Sequence, residues 1–188
     1  MKSHGRLSFL GILALLVTGY VIVAPAIKAA DPASATHSEE VSQLLSEAKA
    51  EAFELRHDAM HMETFTRHRR LSWKSHAAQL TLIKEHVNQT GKLLTKLQNL
   101  REAAAPWQQQ AIDQIEPLLK QLAANTTAAI EHINATKSEI RPTSYNDYLV
   151  ANYATSNKLE ALIRDFVDYE EAAEKLESLS QKLVIAER

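Results

Sequence analysis

After position 19 the chain contains a single glycine, Gly91; the other three, Gly5, Gly11 and Gly19, lie in an N-terminal apolar stretch. Sheet proteins turn at many tight corners, and those corners favour glycine because only glycine enters positive φ without steric cost. A body of this size with one glycine is poorly equipped for hairpins. Beyond the leader the prolines fall at Pro32, Pro106, Pro117 and Pro142, spaced as punctuation between long helices. The expectation is an all-α fold.

The apolar residues agree. Val41, Leu45, Ala48, Ala52, Leu55, Ala59 and Met62 recur at alternating steps of four and three, which is one face of a helix. Thr36 followed by Glu39 predicts a capping box at its start, leaving 31–37 as a linker. Ser72 can cap a second helix bearing Trp73, His76, Leu80, Ile83, Val87, Leu94 and Leu97. Pro106 suits the first turn of a third, where its missing N–H costs nothing. That helix carries Ile112, Ile115, Leu119, Leu122, Thr126, Ala129 and Ile133, and Pro117 within it should produce a kink. Pro142 and Ser144 open a fourth segment, with Asn152 to Asn157 poor enough in helix formers to break it. Its Leu159, Leu162, Phe166, Tyr169, Ala173, Leu176, Ser180 and Leu183 form a near-heptad seam. Four helices with short connections pack most simply as an antiparallel up-down four-helix bundle over 38–188. The alternative is a three-helix bundle that dimerises through the C-terminal heptad segment.

Lys2 and Arg6 precede an uncharged run from Leu7 to Ile27, followed by small residues at Ala24, Ala26, Ala29 and Ala30. This is the layout of a signal peptide, with Ala24-Pro25-Ala26 the best cleavage motif. The run is also long enough for a membrane anchor through residues 7–27. Either reading of 1–30 places the body in an exported, periplasmic or extracytoplasmic compartment. Losing Lys2, Arg6 and Lys28 with no acid moves the formal charge from −2 to −5. An acidic exported body lacks the basic face that nucleic-acid binding requires. The absence of cysteine removes disulfides, thiolate metal sites and thiol nucleophiles.

Histidines supply the candidate chemistry. His57 and His61 are one turn apart, a spacing that lets two imidazoles share a metal. Glu54-x-x-His57 echoes half of a di-iron element, but the required second copy is missing. At about 100° per residue, Glu54, His57, Asp58 and His61 point away from the Leu55, Ala59 and Met62 face, toward water. His76 instead falls in the apolar arc of the second helix, with His86 at its edge. Folding the helices about turns near residues 68 and 104 puts His61, His76 and His132 in one layer, with Trp73, His57 and His68 near the same end. A metal set of His57, His61, His76 and His132, or a haem pocket that also draws on Met60 and Met62, is the competing reading; a hydrogen-bonded core histidine is the simpler one, with no cofactor. The same end gathers Arg67, Arg69, Arg70, Lys74, Lys137 and Arg141, a basic pole suited to helix-dipole compensation or to an acidic partner.

No glycine-rich phosphate loop, Gly-x-Ser-x-Gly elbow or His-Glu-x-x-His element is present, so no catalytic set is assembled. Leu94-Thr95-Lys96-Leu97-Gln98 matches, in one mid-helix copy, the Leu-Thr-x-x-Gln motif of periplasmic stress chaperones that form helical cradles. Ser72-Trp73-Lys74-Ser75-His76, Ile83-Lys84-Glu85-His86-Val87-Asn88 and Pro106-Trp107-Gln108-Gln109 through Asn134 resemble exported helical proteins of soil bacteria that have no assigned activity. That resemblance implies a fold and a compartment, without a mechanism. The functional expectation is a non-enzymatic helical bundle acting through a protein partner or self-association, as a scaffold or in a chaperone-like way.

Overall fold

A computed structural model describes residues 32–67, 72–136 and 142–186. The leader, with its cleavage motif and candidate anchor, lies outside the described residues. So do His68 and, of the basic pole, Arg69, Arg70, Lys137 and Arg141, together with the side chain of Arg67. No described helix is long and apolar enough to cross a membrane.

Four helices account for the described chain: α1 Pro32–Thr64, α2 Trp73–Leu100, α3 Pro106–Ala135 and α4 Pro142–Ala186, with short 3₁₀ turns at Phe65–Arg67 and Arg101–Ala103. Each helix packs antiparallel against its chain neighbour and α4 closes against α1. The result is an up-down four-helix bundle, in which α4 is packed from Tyr145 to Val167 as the fourth helix, so the alternative of a three-helix bundle is corrected.

The core stripes of three helices are those the periodicity predicts. All seven α1 positions from Val41 to Met62 are buried, as are all seven on α3 from Ile112 to Ile133. Ser72 caps α2 in extended conformation, its hydroxyl accepting from the Ser75 N–H at 3.2 Å. Pro106 occupies the first turn of α3, which continues past Pro117 to Ala135.

Three expectations are corrected. Helix α1 begins at Pro32, so most of the expected linker 31–37 is helical and Thr36 is not a cap. A proline in the first turn, followed by Ala33 and Ala35, is itself a good helix start. Helix α4 does not break at Asn152 to Asn157, because Asn152, Thr155 and Ser156 face the core and packing outweighs intrinsic propensity. Last, the buried stripe of α4 is Tyr145, Leu149, Asn152, Ser156, Leu159, Ile163 and Val167. The heptad seam shares only Leu159 with it.

A polar knot ties the end where α1 starts. The Gln108 amide is fully buried. Its Oε1 accepts from the Ala105 N–H at 2.9 Å and from the Ser38 hydroxyl at 3.1 Å. Its Nε2 donates to the Ser38 carbonyl at 2.9 Å and to Ser42 Oγ at 3.0 Å. The Ser42 hydroxyl also meets the Glu170 carboxylate of α4.

Candidate functional site

At the opposite end the bundle assembles an unbroken chain of rings. His61 closes α1 and stands edge-on to Phe65, with centroids 5.1 Å apart. Phe65 stands edge-on to His76 at the same separation. The His76 Nδ1 lies 3.0 Å from the Tyr145 hydroxyl, and His132 stacks on the Tyr145 ring at 5.4 Å. Four elements thus contribute to one layer: the end of α1 with its 3₁₀ turn, the start of α2, the end of α3 and the start of α4.

The spacing argument therefore brings His61, His76 and His132 together as expected, and leaves His57 out. His57 is exposed, 3.8 Å from Asp58. Among the three histidines that do meet, Phe65 stands between His61 and His76, and Tyr145 between His76 and His132. Among the described residues no group of three or more histidines and carboxylates is placed to hold a metal ion. Tyr145 is the residue that sequence reasoning missed. Its signal was available: a turn centred between Ala135 and Pro142 sets residue 145 opposite the last turn of α3.

Burial holds the His76 imidazole below the ordinary histidine range, because desolvation disfavours the cation. An unfolded chain takes up a proton as pH falls through the ordinary value of 6.5, whereas the folded chain resists it. The contribution of His76 is complete above that pH and is lost as the solution is acidified toward the folded-state pKa, by up to about 1.4 kcal/mol per pH unit. Denaturant unfolding from neutral to mildly acid pH should show this slope, flattened in His76→Gln. An unchanged slope in the variant would assign it to other groups.

A second histidine is clamped between two carboxylates. The Nδ1 of His86 on α2 lies 2.9 Å from Glu51 Oε2, and its Nε2 lies 3.6 Å from Asp58 Oδ2. Glu51 and Asp58 are seven residues apart, two turns along one side of α1. Glu54, His57 and His61 are exposed as predicted. Asp58 is the correction: it is half-buried and turned toward α2, where His86 replaces part of its hydration.

Between α2 and α3 an open groove of about 540 Å³ runs past Val87, Gly91, Leu94, Leu119 and Ala123. A Cβ at Gly91 would meet only Leu119 Cδ2, at 4.0 Å. Gly91→Ala should therefore raise stability by about 0.5–1 kcal/mol, since it restricts the unfolded chain without a clash. A lowered unfolding midpoint would show that the glycine is needed for contact. The chaperone-like pentapeptide beside it behaves as ordinary bundle: Leu94 and Leu97 are core, Thr95 donates to the Gly91 carbonyl, and Gln98 donates to Glu116.

The largest departure from a closed bundle is the end of α4. Every residue from Glu171 to Ile185 is exposed, a projection of about 22 Å at 1.5 Å per residue. Leu176 and Leu183 are 67% and 68% exposed, and Leu179 and Val184 about half. At about 100° per residue, the core-facing stripe of α4 would continue beyond Val167 through Glu171, Glu174, Ser178 and Gln181. The stripe of Leu176, Leu179 and Leu183 lies roughly half a turn away, on the solvent side, while Ile185 returns to the core-facing line. That stripe starts where Trp107 of α3 stacks against Phe166 at 6.4 Å and meets Tyr169 edge-on at 5.7 Å. One helix thus carries two apolar stripes, and the bundle covers the first and only the beginning of the second, at Leu162 and Phe166. Comparison of the chain with protein-family models, curated proteins and solved structures finds no match.

Proposed function

We propose that this chain is a non-enzymatic interaction protein of the cell envelope, in which the bundle serves as a rigid stand for the projecting end of α4. The observation that carries this reading is the second apolar stripe. A helix whose oily side is left in water has its stabilising contacts still to make, and exposed apolar patches of this kind mark interaction sites. The leader supports an exported location, and the acidic body supports a partner other than nucleic acid. The competing metal or haem reading has weaker support, because Phe65 and Tyr145 separate the histidine rings and Nδ1 of His76 already faces the tyrosine hydroxyl.

A photo-crosslinking residue at Leu179 in the exporting cell, with Leu82 on α2 as an equally accessible control, tests the proposal. Discrete adducts at position 179 and none at 82 are expected. Absence of adducts along the whole projecting stripe would overturn it.

A further inference from the structure

We draw no further inference here: the strongest candidate, the open groove between α2 and α3 floored by Val87, Gly91, Leu94, Leu119 and Ala123, is an apolar face whose rim lysines Lys92 and Lys120 are already engaged by Gln89 and Glu116 of their own helices, and nothing in the structure shows what covers it.

Discussion

Tyr145→Ala is expected to cost about 3–5 kcal/mol, the range for removing a large buried aromatic side chain. Tyr145 is wholly buried, and its ring is the piece on which α2, α3 and α4 converge. It accepts the stacked His132, at 5.4 Å between centroids, and its hydroxyl is the partner of His76 Nδ1. Tyr145→Phe keeps the ring and removes only the hydroxyl, so it should cost about 1–3 kcal/mol, the penalty for leaving a buried polar atom unpaired. The difference between the two variants separates packing from hydrogen bonding. Chemical denaturation read by circular dichroism supplies both numbers. A Tyr145→Phe loss equal to that of Tyr145→Ala would show that the ring contributes nothing by itself.

The second large effect belongs to the other end. Gln108→Leu should lose about 2–4 kcal/mol, because several buried hydrogen bonds of ordinary worth disappear together and their partners stay dry. The leucine matches the volume, so the loss isolates the polar contacts. The Ala105 N–H at the start of α3 would lose the side-chain acceptor at 2.9 Å that satisfies it, and the Ser38 carbonyl of α1 would lose a donor. Gln108→Glu is informative beside it. It keeps an acceptor oxygen where Oε1 stands but has no N–H to give, so it should retain the contacts from the Ala105 N–H and the Ser38 hydroxyl and forfeit those donated to the Ser38 carbonyl and Ser42 Oγ. A Gln108→Leu protein as stable as the parent would mean that the knot contributes no net stability.

The two ends differ in how readable they were. The histidine layer was legible because it follows from counting: antiparallel helices joined by short turns place residues at equal distances from each turn side by side. Counting cannot say what lies between those residues, and so it missed that Phe65 and Tyr145 separate the rings. The metal reading of His57, His61, His76 and His132 depended on the gap that those two side chains fill. The Gln108 knot was not legible. A glutamine three residues after a helix start is common, and its burial depends on Ser38 and Ser42, which are some seventy positions away and reach it only when α1 passes the start of α3.

The heptad seam shows the same division in one element. Its spacing was visible in the residues from Leu159 to Leu183, and the spacing correctly announced a helix with an oily side. Which side the bundle would cover was not visible, because two apolar stripes coexist on α4. Tyr145, Leu149, Ser156, Ile163 and Val167 make the covered one, although two polar residues, Asn152 and Ser156, sit in it.

The amino-acid order alone determined the class of fold, the number of helices, most of their limits and the core faces of α1, α2 and α3. Those follow from backbone chemistry and from the 3.6-residue period, which act within one or two turns. Only the tertiary structure decided that α4 is continuous, that its Asn152 and Ser156 go inside, and that its residues 171–185 leave the bundle with their leucines in water. Those outcomes depend on where the neighbouring helices end, and burial against a neighbour outweighs the fractions of a kcal/mol by which residues differ in helix propensity.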